Sequence, residues 1–269
     1  MAEIHAERCV YESRHGEVGA YLARPNQGGP WPAVLVIHDR YGLWEHIEET
    51  ARDFAEAGYL ALAPDLNWRD EARRALDDDD VHEGGKILNA DDFEAALGSY
   101  SAERRAKVRS GAEWLKNRGS ATHLDDTLAG IAFLKARSDV QANAVGCFGY
   151  CMGGRVTATV AGSGADIAAA VIYYGIFTDP EKQAPNVRCP VQGHYGATDK
   201  GVTGTVPATE AAMKANGKDY TTYVYENAGH AFADNHSETS YRPEVTRLAW
   251  ERTLDFFAKH LKRATAAAR

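Results

Sequence analysis

Basic excess is the first thing missing from this 269-residue chain: 38 Asp and Glu outnumber 30 Lys and Arg, for a formal net charge of −8 at pH 7. No stripe of Lys and Arg breaks that surplus, which argues against nucleic acid as a partner. Long apolar runs are missing too. Nothing approaches the roughly 20 residues that span a bilayer, so no membrane partner is expected. The opening Met1-Ala2-Glu3-Ile4-His5-Ala6-Glu7 has neither the basic nor the apolar region of a secretion signal, and a cytoplasmic location is the expectation. Cysteine is scarce: Cys9, Cys147, Cys151 and Cys189 have no metal-ligand spacing, and a reactive thiol suits a reducing compartment. No two histidines have the spacing of a zinc site. Asp77-Asp78-Asp79-Asp80 lacks the glycine turn and spaced ligands of a calcium loop and reads as a solvated loop or helix start. No metal and no cofactor are expected.

What is present is a 44% hydrophobic content, enough to bury one large core. Glu7–Ser13 and Glu17–Ala23 alternate as two opening antiparallel strands, and Ala33–His38 is a continuous apolar run of the kind found in a parallel strand covered on both faces. Amphipathic 46–57, closed by Gly58, predicts a helix before the strand Tyr59–Ala63. Helix and strand then alternate through Leu124–Arg137, Ala144–Phe148, Val156–Gly162, Ile167–Tyr174, Pro190–Tyr195, Pro207–Asn216 and Tyr220–Tyr225. A last helix over Pro243–Leu261 places Val245, Leu248, Ala249, Leu254, Phe256, Phe257 and Leu261 mostly on one face. Such alternation predicts the α/β class, a mainly parallel sheet with helices on both sides. The expectation is a single domain over residues 1–269, with a charged, strandless helical insertion at about 67–122 that reads as a cap over the sheet's working edge.

The most informative segment is Gly149-Tyr150-Cys151-Met152-Gly153-Gly154, between the apolar run ending at Phe148 and a helix-forming stretch. Strand, tight turn and helix with small flanking residues make the nucleophile-elbow pattern, here with cysteine in the central place. The plainer alternative is a buried cysteine beside a turn. Candidate partners follow in the order acid, then histidine: Asp199 past the strand Pro190–Tyr195, and His230 in the turn after Tyr220–Tyr225. A cysteine nucleophile needs such a base, and the base needs an orienting acid.

Cys151, Asp199 and His230 in these settings resemble the triad of the dienelactone hydrolase family, cysteine-dependent members of the α/β-hydrolase fold. The likeness extends to 33–43 and 58–66 and so covers most of the chain, weakest between Asn67 and Thr122. It implies hydrolysis of a small lactone or carboxylic ester through an acyl-thioester on Cys151, with His230 moving the proton and Asp199 fixing its tautomer. By position, the oxyanion donors are the backbone N–H groups of Met152 and Arg40. The resemblance also implies a fourth catalytic group at Asp39, where the family has glutamate contacting the resting thiol; the alternative is a capping aspartate.

Where the family has arginine after the catalytic histidine, this chain has Asp234, an acid that would repel a substrate carboxylate if its side chain faced the pocket. A second family arginine lies in the variable region, where Arg104 or Arg105 could serve; a solvated helix face is the alternative. Tyr41, Trp44 and Trp68 are candidate pocket walls. His38 is expected to brace the oxyanion loop, and His194, Cys147 and Cys189 to be structural. A thioesterase or acyl transferase using the same triad, or a non-catalytic binder on a hydrolase scaffold, are the competing functions. The sequence leaves the oligomeric state open, a monomer included.

Overall fold

In the computed structural model, which describes residues 3–262, the alternating runs form one eight-stranded sheet. The strands are β1 (Ile4–Ser13), β2 (Gly16–Pro25), β3 (Trp31–Ile37), β4 (Leu60–Pro64), β5 (Val140–Tyr150), β6 (Ala169–Tyr173), β7 (Val191–Gly196) and β8 (Tyr220–Tyr225), in the order β1-β2-β4-β3-β5-β6-β7-β8. β2 pairs antiparallel with both β1 and β4, and every pairing from β4 to β8 is parallel. The helices are α1 (Glu45–Glu56), α2 (Glu71–Arg74), α3 (Asp78–Ile87), α4 (Phe93–Gly98), α5 (Ala102–Asn117), α6 (His123–Ala136), α7 (Met152–Gly162), α8 (Pro180–Gln183), α9 (Lys200–Thr203), α10 (Val206–Ala215) and α11 (Pro243–Phe257).

Both faces of the sheet are covered, which is why its strands read as unbroken apolar runs. Successive side chains of a strand point to opposite faces. Along β3, Ala33, Leu35 and Ile37 pack with α6, α7 and α10, while Val34 and Val36 pack with α1 and α11. Helix α1 turns Ile47, Ala51, Phe54 and Ala55 onto the second face. Gly58 at φ +89° then lets the chain reverse into β4.

Between β4 and α6 the chain makes the helical excursion α2 to α5, with no strand among its residues. The aspartate run is a helix start: Asp77 occupies the N-cap position of α3 without a side-chain capping bond, and Asp78–Asp80 form its first turn, where carboxylates favour the helix dipole. Helices α3 and α5 cross at glycines. A Cβ on Gly84 would lie 2.8 Å from the Val108 carbonyl oxygen, and one on Gly111 would strike the Asp80 carbonyl, so the two backbones touch.

Some boundaries differ from the sequence reading. β5 runs beyond Ala144–Phe148 at both ends, because Val140 pairs with Trp31 and Tyr150 with Tyr173. The last helix ends at Phe257 and continues as one π-helical turn to Lys262. Leu248 lies off its buried face, which is formed by Ala249, Thr253, Phe256 and Phe257.

Candidate active site

β3, β5, β6, β7 and β8 all run in one direction, so the loops after them meet at one edge of the sheet, the usual place for a site in a parallel sheet. Cys151 follows β5 and is the N-cap of α7, at φ 53° and ψ −111°, a conformation L-residues rarely adopt. It is held there by its N–H, which donates to the Tyr173 carbonyl at 3.0 Å. The flanking glycines are required by closeness. A Cβ on Gly149 would lie 2.8 Å from Thr157 Oγ1 and run into the backbone of Gly153; one on Gly153 would meet the Ile37 and His38 carbonyls; one on Gly154 would sit 2.7 Å from the Tyr173 oxygen. Strain at the cysteine and crowding around it therefore come from the same turn.

The three residues separated by 79 positions of chain come together. His230 Nε2 lies 3.0 Å from Cys151 Sγ, and His230 Nδ1 lies 2.6 Å from Asp199 Oδ2. With a carboxylate against Nδ1, that nitrogen carries a proton and Nε2 faces the sulfur. Burial alone would lower the His230 pKa, but the hydrogen bonds and charges of Asp199 and Cys151 outweigh it and push the value up to about 10. The Tyr174 ring, at φ +38°, packs 5.1 Å from the imidazole. The arrangement can hold an imidazolium against a sulfur and pass a proton between sulfur and a leaving oxygen.

The loop after β3 forms the opposite wall. His38 is fully buried; its Nε2 accepts from Leu66 N–H at 3.0 Å, so Nδ1 carries the hydrogen and donates to the Asp39 carbonyl at 2.7 Å. Burial keeps it neutral, with its pKa lowered to about 4. Arg40 N–H donates to no group among the described residues, and Met152, as the first residue of α7, has an N–H without an intrahelical acceptor. The Asp39 carboxylate makes no hydrogen bond to the thiol among the described residues: Oδ1 accepts from Tyr41 N–H at 2.7 Å and Oδ2 from Trp44 Nε1–H at 3.2 Å. Burial raises its pKa to about 7, against the lowering effect of those two bonds.

Three expected pocket residues stand elsewhere. Arg104 pairs with Asp80 at 3.7 Å, and Arg105 donates to the Tyr100 and Gly98 carbonyls; both are on the solvated side of α5. Trp68 lies over Gly19 of β2, and packing on that outer strand explains its place away from the elbow. Tyr41, Trp44 and Asp234 do share a groove of about 780 Å³, walled also by His82 and Asp78 of α3 and by His236. Trp44 and His82 rings are 3.9 Å apart, centre to centre. Asp234 accepts from His236 N–H at 3.0 Å, a turn-forming bond within its own loop.

Sequence reading missed a group of cations. Arg118, at the C-cap of α5, has its pKa lowered by burial and then by the nearby charges of Arg40 and Arg155, while Cys151 pulls the other way. Among the described residues none of these three arginines forms an ion pair: the Arg40 Nε is buried without a partner, and Arg118 donates to the Leu115 carbonyl. Arg155 was findable, since it lies four residues after Cys151 on α7. Arg118 was not; it reaches the site through the path of the insertion.

The model of the dienelactone hydrolase family matches residues 18–261. A Methylorubrum extorquens protein named "Putative carboxymethylenebutenolidase" is 30% identical over 255 residues, covering 91% of this chain and 78% of the relative. A Bradyrhizobium protein named "Probable 2-oxo-3-(5-oxofuran-2-ylidene)propanoate lactonase" is 28% identical over 253 residues, covering 90% and 89%. The crystal structure titled "Putative Dienelactone Hydrolase" from Klebsiella pneumoniae superposes with a TM-score of 0.72 at 28% identity, over 95% of this chain and 99% of that one. The fold is therefore that of an α/β-hydrolase, and the chain belongs to the dienelactone hydrolase family.

Proposed function

We propose that this hydrolase cleaves a small lactone or ester bearing a carboxylate, through an acyl-thioester on Cys151. The observation that carries the reading is the relay Cys151 Sγ to His230 Nε2 to Asp199 at 3.0 and 2.6 Å, with the sulfur at a helix N-terminus and an elbow φ of 53°. The thiolate attacks the carbonyl carbon while the imidazolium stays beside it. The oxyanion is received by the N–H groups of Arg40 and Met152, and the tetrahedral intermediate collapses as His230 gives its proton to the leaving oxygen. Water, deprotonated by the then neutral His230, attacks the thioester carbonyl; the C–S bond breaks, the carboxylic acid product leaves, and the thiolate–imidazolium pair is restored.

The carboxylate is assigned from Arg40, Arg118 and Arg155. Arg40 and Arg155 act on Arg118 as like charges, Arg118 is also coupled to Cys151, and none of the three forms an ion pair among the described residues, so an anionic substrate would relieve that repulsion. The name of the Bradyrhizobium relative, a propanoate lactonase, agrees. We read residues 1–269 as one catalytic domain, with α3 of the insertion forming part of the cap because His82 and Asp78 wall the groove beside Tyr41.

Steady-state assays on a carboxylate-bearing lactone and its neutral methyl ester test this. Arg118→Gln is expected to lower kcat/KM for the acid about 10–100-fold, the range of one charged hydrogen bond, and to leave the ester nearly unchanged. Equal losses on both would remove the carboxylate from the reading.

A further inference from the structure

We propose that Asp39 is a positioning residue: its carboxylate clamps the 39–44 loop so that the Arg40 N–H faces the developing oxyanion, and it does so by tying that loop to the Trp44 indole. The inference rests on the thiol mechanism above and adds to it a residue that acts without touching sulfur or substrate.

The geometry is over-determined. Oδ1 reaches two residues along its own loop to the Tyr41 N–H at 2.7 Å, the short local turn for which an aspartate side chain is the right length. Oδ2 takes the Trp44 Nε1–H at 3.2 Å. The Asp39 backbone carbonyl is bound from the other side by His38 Nδ1 at 2.7 Å, and His38 is in turn fixed by Leu66 N–H at 3.0 Å. Arg40, between the two tied residues, is left with an N–H that donates to nothing among the described residues. The Asp39 carboxylate and the His38 ring are thus committed within this loop, and the Arg40 N–H between them is left available to an oxyanion. Asp39 is only 7% exposed and Trp44 only 6%, so water does not replace either bond if it is lost. Trp44 is itself wedged against His82 of α3 at 3.9 Å and His236 at 5.0 Å, which gives the clamp an anchor outside the loop.

Three variants with p-nitrophenyl acetate test the proposal: Asp39→Asn, which keeps the volume but offers one acceptor to two donors, Trp44→Phe, which removes only the second donor, and Cys151→Ala. The pre-steady-state burst gives the acylation rate, and iodoacetamide alkylation gives thiol reactivity separately. For Asp39→Asn the maximal burst rate is expected to fall about 10²-fold, the cost of an ångström-scale displacement, with the half-saturating concentration unchanged within about threefold. Trp44→Phe falls in the same direction by a smaller factor, and alkylation stays at the wild-type rate in both. An alkylation rate that drops together with the burst would mean Asp39 acts on the thiol and overturns the positioning role, as would a full burst in both variants. If Asp39→Asn does not fold by circular dichroism, the Trp44→Phe burst decides alone. A Cys151→Ala protein that still turns over ester removes the thiol mechanism and this proposal with it; a dead Cys151→Ala beside a fully active Asp39→Asn removes this proposal only.

Discussion

At His230 two opposing effects can be weighed against each other. Burial disfavours the imidazolium, yet hydrogen bonds to Asp199 and Cys151 carry the pKa to about 10, so the ring is charged throughout the neutral range. The ring loses its proton as pH rises through that value, and with it the ability to protonate a leaving oxygen. The alkaline limb of kcat/KM is therefore expected near pH 10, as a property of the coupled sulfur and imidazole pair. Asp199→Asn removes the largest raising contribution. The limb should move to lower pH and kcat should fall on the order of 10³-fold or more; a pH–rate profile of the variant checks both. An alkaline limb unmoved by the substitution would detach His230 from Asp199. Residue types were legible here: an acid and a histidine past strand ends stood out in the sequence. Their charge states were not, because they depend on distances that only folding sets. Asp39 makes the same point in reverse, its side chain being committed to Tyr41 and Trp44 five or fewer residues away.

Among elements, the β5-to-α7 turn carries the greatest constraint. Its glycines are packed against backbone, so a methyl at Gly153 must displace the carbonyls of Ile37, at the end of β3, and of His38, or move α7. Gly153→Ala is expected to destabilise the fold by at least the ~1–3 kcal/mol typical of overpacking, read from the urea midpoint. It should also slow iodoacetamide labelling of Cys151 by tilting the helix start. A variant as stable and as reactive as wild type would mean that the turn has slack the geometry does not reveal. The elbow was readable because strand, turn and helix leave periodic and glycine signals within a dozen residues. The insertion was readable only as strandless and charged. The crossing of α3 and α5 at Gly84 and Gly111, which brings His82 to the groove and carries the chain on to Arg118, is a contact between segments whose separate patterns give no register.

For the molecule as a whole, a net charge of −8 coexists with a local cluster of arginines at the proposed site. Attraction of an anionic substrate to that cluster acts over a few ångströms and is screened by salt, while a neutral ester feels little. Raising ionic strength from about 0.01 to 0.5 M, a change that shortens the screening length from about 30 Å to a few ångströms, is expected to lower kcat/KM for a carboxylate-bearing lactone several-fold and to spare its methyl ester. Equal salt responses would place the arginines outside the encounter. No helix among the described residues is long and apolar enough to cross a membrane. By itself the sequence determined the α/β class, the order of the strands along the chain and the elbow around Cys151, because these rest on local periodicity and on glycine sterics. Only the tertiary structure decided which arginines lie near one another around Arg118, which walls meet Tyr41, and that the Asp39 carboxylate accepts from Tyr41 N–H and Trp44 Nε1–H. Those outcomes depend on contacts between distant segments, and no single segment carries the distance to another.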